Sequence, residues 1–316
     1  MKKSRYLVTG GAGFIGSHIV YTLLEKGHRV RVLDNFSSGK MENLKPVLNQ
    51  IELIKGDIRS YQTCLKASKG VDFILHQAAL RSVPKSMLFP AEYNEVNIQG
   101  TLNILQAAKE HKIKGFVFAS SSSVYGQTQA FPEKESFLPQ PVSPYALTKL
   151  TGEHYCRIFS LHFGLPTTSL RYFNVFGPRQ SLDDEYAVVI PKFIYCVLHN
   201  EPAPIFGTGR QSRDFTFVSN VVEANILASQ RKKAKGEVFN VASGKDYSVL
   251  ELLEALNKIM GKDIKPKFLP PRPGDVFRTL ADLTQAKKGL NFYPKTDFLK
   301  GLKLTVDYFQ EKWQKK

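Results

Sequence analysis

The 316-residue chain is poor in cysteine, tryptophan and acid, and it has no long apolar run. Cys64, Cys156 and Cys196 are too few and too scattered for a disulfide framework or a metal site, which fits a reducing compartment. With no stretch of about 18 apolar residues, no membrane span is expected. Met1-Lys-Lys-Ser-Arg5 leads straight into a strand-like run without a signal-like core, so a cytoplasmic location is the expectation. Neither an internal repeat nor a long low-complexity tract is present. Acid is scarce against base: Lys+Arg 44 and Asp+Glu 28 leave a formal charge of +16. The lysines are spread along the chain, clustering only briefly as in Arg231-Lys-Lys and Lys315-Lys316, and no nucleic-acid motif accompanies them. That pattern describes a solvated surface, with a few arginines for an anionic small molecule, and no nucleic-acid partner is expected.

What is present is organised around the N-terminus. An apolar run, Tyr6 to Val8, suits a buried parallel strand, and Gly10, Gly13 and Gly16 follow it. An apolar, helix-compatible segment then runs from Ile15 to Leu24 and ends at Gly27. Strand, glycine turn and helix start make a dinucleotide-binding turn, in which the helix N-terminus offers N–H groups and partial positive charge to a pyrophosphate. The second strand, Val30 to Leu33, ends in Asp34, placed to grip ribose hydroxyls and to repel a 2′-phosphate, which favours NAD over NADP. Asn35 to Gly39 can continue around the adenosine. A third strand, Ile51 to Ile54, leads to Gly56-Asp57-Ile58, where Asp57 is read either as an adenine contact or as a helix N-cap.

Further strands are expected at Val71–Leu75 and Phe116–Phe118, with an amphipathic helix from Asn97 to Lys112. The alternation predicts an α/β fold, a doubly wound parallel sheet over residues 1–175, with a smaller substrate-binding domain over 176–316. Small residues in His76-Gln-Ala-Ala79 let a cofactor approach the backbone, and His76 itself reads as structural. The chemistry is expected in Ala119-Ser-Ser-Ser-Ser-Val-Tyr-Gly126 and Ser143-Pro-Tyr-Ala-Leu-Thr-Lys149. Tyr145 and Lys149, four apart, share one helix face, where an ammonium lowers the phenol pKa and makes an acid/base of it. A serine at the preceding strand end can bond the reacting oxygen. Arginine-bearing loops in the second half, with Arg213 and Arg272 in rigid turn contexts, suit bidentate binding of phosphate oxygens. The helices expected at Val249–Met260 and Phe298–Trp313 are packing elements.

Taken together, TGGAGFIGSH, DNFSSG, GDI, HQAA, SVYG, SPYALTK, LRYFNVFGPRQ, RDF and PGD resemble the extended short-chain dehydrogenase/reductase superfamily, in its nucleotide-sugar epimerase/dehydratase branch, nearly end to end. HQAALRSVPKS, YAVVIPKF and GDVFRTLAD look most like UDP-N-acetylglucosamine 4-epimerases. The resemblance implies tightly bound NAD, a UDP-sugar substrate and a homodimer formed by the helices that follow Asn97 and contain Tyr145. It gives Tyr145 the role of base, Lys149 that of ribose holder, and Ser121 that of catalytic serine beside Ser122. It places Gly10, Gly13, Phe14, Ile15, Gly16, Asp34, Asn35, Asp57, Ile58, Ala78, Asn97, Tyr145, Lys149 and Tyr172 at NAD. Asn174, Arg213 and Arg272 fall to the diphosphate and Asp275 to the uridine, with Val189 and Thr279 at the sugar. A small Thr279 leaves room for a C2 N-acetyl group where some epimerases have tyrosine. Ser122 and Ser123 stand where related dehydratases carry an Asp-Glu pair, which disfavours dehydration. Arg81 and Arg179 keep a UDP-glucuronate 4-epimerase as an alternative. A non-catalytic NAD-sensing or nucleic-acid-binding protein is the alternative of another class.

Overall fold

The computed structural model describes residues 3–182, 189–231, 234–271 and 276–314. The first half alternates as the spacing predicts: β1 (Arg5–Thr9), α1 (Phe14–Glu25), β2 (Arg29–Asp34), β3 (Ile51–Lys55), α2 (Tyr61–Ser68) and β4 (Phe73–His76). Two short helices follow, α3 (Val83–Leu88) and α4 (Pro90–Tyr93), then α5 (Gly100–Glu110), β5 (Gly115–Ser121), α6 (Pro144–Phe163) and β6 (Thr167–Tyr172). The expected Asn97–Lys112 helix is not uniform. Asn94–Gln99 is a π-helical stretch joined to α5, the kind of widening that re-aims side chains beside a site.

The second half holds β7 (Val175–Phe176), α7 (Val189–Leu198), β8 (Ala203–Phe206), β9 (Ser212–Arg213), β10 (Thr216–Phe217), α8 (Val218–Ser229) and β11 (Glu237–Val241). After them come β12 (Tyr247–Ser248), α9 (Val249–Met260), β13 (Pro266–Leu269), α10 (Thr284–Leu290) and α11 (Phe298–Gln314). The run Ser169–Phe176 is thus two strands, broken where Asn174 takes a φ of +33°.

The main sheet has seven strands in the order β11-β6-β5-β4-β1-β2-β3, and every pairing in it is parallel. Strand β11 from the second half pairs with β6, Phe239 opposite Leu170, so a later segment returns to the first layer. The β1 strand is apolar and fully buried at Tyr6, Leu7 and Val8, as a strand covered on both faces must be. One core layer joins Ile19, Leu23, Val32 and Val221; another, on the opposite face, joins Leu7, Ile74, Ile104, Phe116 and Phe159. Chain order reverses beside β1, between β1 and β4, so a crevice opens there at the strand C-termini. Among the described residues no helix is long and apolar enough to cross a membrane.

Candidate active site

A single cleft of about 1200 Å³ runs from the β1 turn across the ends of β4, β5 and β6 to the second-half loops. At its first end Gly10 has a φ of +67°, and a Cβ there would lie 2.8 Å from the Ala78 nitrogen. A Cβ on Gly16 would lie 2.1 Å from the Gly10 carbonyl oxygen, so the turn and helix can close on each other only without side chains. Gly13 is the N-cap of α1 and gives the helix no side-chain cap. The first N–H groups of the helix therefore face the cleft, where Gly13, Phe14, Ile15 and Gly16 line the wall.

Asp34 ends β2 and is 7 % exposed. Its carboxylate accepts the Ala12 N–H at 2.9 Å and the Phe36 N–H at 2.8 Å, which braces the turn. Burial pushes its pKa up, and those two bonds oppose the rise. Asn35, Ile58 and Ala78 also line this end. Asp57 does not: its carboxylate accepts from Asn35 Nδ2 at 2.9 Å and holds Arg59 at 2.8 Å, and its pKa falls to about 2 mainly through Arg59. Nor is it the N-cap of α2, whose cap is Ser60.

Asn97 also stands behind the wall. Buried to 2 %, it binds Leu80 with both ends of its amide and donates to Thr148 Oγ1 at 3.0 Å. It shapes the loop after β4 from the rear and does not line the cleft. His76 is held between Thr9 Oγ1 at 2.7 Å and Thr101 Oγ1 at 3.1 Å, and burial lowers its pKa to about 3. It is a neutral core residue, as expected.

At the centre, the end of β5 delivers Ser121, the 3-10 turn that follows it delivers Ser122, and α6 delivers Tyr145 and Lys149. Ser143 caps α6 through the Ala146 N–H at 3.2 Å and Pro144 occupies its first turn, so Tyr145 enters the helix immediately. A Cβ at Gly152 would lie 2.3 Å from the Phe118 ring, so glycine lets α6 lie against β5. Lys149 Nζ donates to the Ala119 carbonyl at 2.8 Å and lies 5.9 Å from the centre of the Tyr145 ring. Ser121 Oγ accepts from Ser123 Oγ at 2.9 Å.

The electrostatics differ from the simple expectation. Burial raises the Tyr145 phenol pKa, while a hydrogen bond with Ser121 and the charge of Arg81 lower it. Lys149 is itself lowered to about 7 by burial, so it is a weakened cation and is not the main agent opposing that rise. The spacing of Tyr145 and Lys149 was legible; the desolvation around them was not.

Beyond the centre, Tyr172 lines the cleft, its hydroxyl bonded to Asn225 and Gln77. Asn174, Val189, Arg213 and Thr279 line the far end. Asn174 Nδ2 donates to Thr279 Oγ1 at 2.8 Å, and Asp214 N–H reaches the same oxygen at 3.2 Å. Arg272 and Asp275 lie outside the described residues. Arg179, the carboxylate reader of the UDP-glucuronate alternative, is not among the cleft-lining residues, and its guanidinium lies over the Tyr21 ring of α1 at 4.4 Å.

Sequence reasoning missed Glu133 and the Asn225–Gln77 pair, whose partners lie more than 50 residues away. Among the described residues no cluster of three His, Cys, Asp or Glu could hold a metal ion.

Parallel doubly wound sheet, uncapped glycine turn, acid at the end of β2 and a Ser-Tyr-Lys centre define a dinucleotide-dependent enzyme of the extended short-chain dehydrogenase/reductase type. The NAD dependent epimerase/dehydratase family pattern matches residues 6–242, and the chain belongs to that family. A UDP-N-acetylglucosamine 4-epimerase of Methanobrevibacter ruminantium, solved with UDP-N-acetylmuramic acid, is 43 % identical with a TM-score of 0.94, over 99 % of this chain and 100 % of that one. The Thermotoga maritima UDP-glucose 4-epimerase, solved with UDP-glucose, is 39 % identical with a TM-score of 0.92, over 98 % and 99 % of the two chains. A Bacillus cereus UDP-glucuronic acid 4-epimerase, solved with UDP-glucuronic acid and NAD, is 34 % identical with a TM-score of 0.89, over 97 % and 99 %. The glycine cradle, the uncapped α1 and the Asp34 carboxylate suit NAD, the family's cofactor.

Proposed function

We propose that the protein is an NAD-dependent UDP-hexose 4-epimerase that accepts N-acetylated sugars and interconverts UDP-GlcNAc and UDP-GalNAc. The observation that carries this reading is the convergence of Ser121, Tyr145 and Lys149 on the middle of one cleft, between the glycine turn and Arg213. NAD, when bound, accepts and returns the hydride at the sugar C4. Tyr145, in its phenolate form, takes the proton of the 4-hydroxyl and gives it back after the 4-keto sugar has turned over in the pocket. Ser121 bonds the same oxygen and steadies the phenol. Lys149, anchored on the Ala119 carbonyl, holds the ribose side of the centre. Arg213 meets the diphosphate, and Asn174 borders it. Thr279, small and 8 % exposed, leaves the C2 side of the sugar open.

The test is product analysis on UDP-GlcNAc, UDP-glucose and UDP-glucuronate supplied separately. Interconversion of the N-acetylated pair is the expected result; turnover confined to UDP-glucuronate would replace this reading. Thr279→Tyr fills the open side, and we expect it to reduce kcat/KM for UDP-GlcNAc about tenfold more than for UDP-glucose. An equal loss on both sugars would remove Thr279 from specificity. The UDP-glucuronate alternative keeps one observation: Arg81 lines the cleft and its charge acts on Tyr145.

A homodimer fits the surface. Leu147, Ile158 and Leu161 repeat at helical spacing along one exposed face of α6, and exposed Leu88 and Phe89 end α3 nearby. Light scattering is expected to give twice the 35.6 kDa chain mass. Ile158→Glu with Leu161→Glu should give the monomer, and a dimer that survives both would place the interface elsewhere.

A further inference from the structure

Glu133 has no part in the reaction described above, yet it lines the same cleft. It lies in the loop between Tyr125 and α6, tied to the 279–282 segment. Its N–H donates to the Leu280 carbonyl at 2.6 Å, and its own carbonyl accepts from Asp282 N–H at 2.8 Å and from Asn240 Nδ2 at 2.9 Å. One carboxylate oxygen, Oε2, accepts the Leu280 N–H at 3.1 Å. Among the described residues the other oxygen, Oε1, has no hydrogen bond, although the residue is only 1 % exposed. Leu280 follows Thr279, so this carboxyl belongs to the sugar end of the cleft and not to the glycine turn. Glu133 lines the cleft, and a ligand that brings an O–H or N–H to its second oxygen gains a charge-assisted hydrogen bond in a largely desolvated place.

We propose that Glu133 determines sugar specificity: its second carboxylate oxygen receives a hydroxyl or amide N–H of a neutral UDP-hexose and disfavours a sugar that places a carboxylate there. This rests on the UDP-hexose reading of the cleft. Asp214 and Arg213 are the charged groups that face Glu133. Burial pushes its pKa up to about 7; the Leu280 N–H and Arg213 oppose the rise and Asp214 adds to it. The acceptor form therefore predominates above that pH and is lost below it.

Glu133→Gln retains the shape and an oxygen for Leu280 but removes the charge; Glu133→Ala removes both. Each is compared with the wild type on UDP-GlcNAc and UDP-glucuronate across neutral pH. Circular dichroism reports the fold, and calorimetric titration with UDP alone reports the nucleotide end. We expect unchanged UDP affinity and a KM for UDP-GlcNAc raised about tenfold. Selectivity should shift toward UDP-glucuronate, and the wild-type change in the ratio of kcat/KM for UDP-GlcNAc over UDP-glucuronate near pH 7 should disappear in both variants, a ratio in which the Lys149 titration common to both sugars cancels. A KM within about twofold of wild type and an unmoved pH profile, in an active enzyme, would overturn the role of Glu133 and leave the epimerase reading standing. Loss of UDP binding in both variants would also overturn it, since Glu133 would then support the whole cleft. Wild-type protein inactive on every UDP-hexose would remove the functional reading and this proposal together.

Discussion

Tyr145→Phe is expected to lower kcat about a thousandfold while leaving KM, bound NAD and the unfolding midpoint nearly unchanged. The substitution removes one oxygen and keeps the ring, which packs against the wall of the cleft beside Lys149. Its effect should therefore fall on proton transfer and not on binding, the pattern of an interaction made in the transition state. Lys149 is turned to the Ala119 carbonyl, and Ser121, an alcohol hydrogen-bonded to Tyr145, is too weak a base to replace the phenol. Steady-state kinetics with UDP-GlcNAc, together with absorbance of the co-purified cofactor, makes the measurement. A variant within about tenfold of wild type would remove Tyr145 from the chemistry.

Glu153→Ala carries the largest expected loss of stability, about 3–5 kcal/mol in urea unfolding. Glu153 on α6 takes Arg171 of β6 in a fork, at 2.9 Å from Nε and 2.8 Å from Nη2, and the two side chains are 5 % and 4 % exposed. Ser120 Oγ donates to Glu153 at 2.5 Å, and the Arg171 guanidinium lies 4.6 Å from the centre of the Tyr125 ring. Removing the carboxylate alone strands a buried cation and frees Ser120, the neighbour of Ser121. Replacing both members, with Glu153→Leu and Arg171→Met, should recover much of the loss, because a buried pair exchanged for apolar packing is often neutral. A single-variant loss below about 1 kcal/mol would show that water reaches Arg171.

The two predictions differ in how they could be found. Tyr145, Lys149 and Ser143 belong to one helix start, so a four-residue interval and a capping serine reveal them. Glu153 and Arg171 stand 18 residues apart on a helix and a strand, and no periodicity signals that they meet. Asn97 shows the same limit from the other side. Its place in the chain was legible, but its amide turns to Leu80 and Thr148 and not to the cleft. Arg179 and Asp57 were legible as charges near motifs, and they were claimed by Tyr21 and Arg59.

The sequence by itself determined the parallel sheet, the glycine turn that receives a dinucleotide, and the Ser-Tyr-Lys set at the end of β5 and the start of α6. Each is a strand–turn–helix unit whose geometry follows from residue spacing, glycine and caps over a dozen positions. Only the tertiary structure decided which polar groups are desolvated, and hence that burial raises Tyr145, weakens Lys149 and lifts Glu133 toward neutrality. It also decided that Thr279 and Leu280 return beside Asn174 and Glu133, more than 100 residues away along the chain. Desolvation and long-range pairing depend on what the rest of the chain places around a residue, and no local pattern contains that.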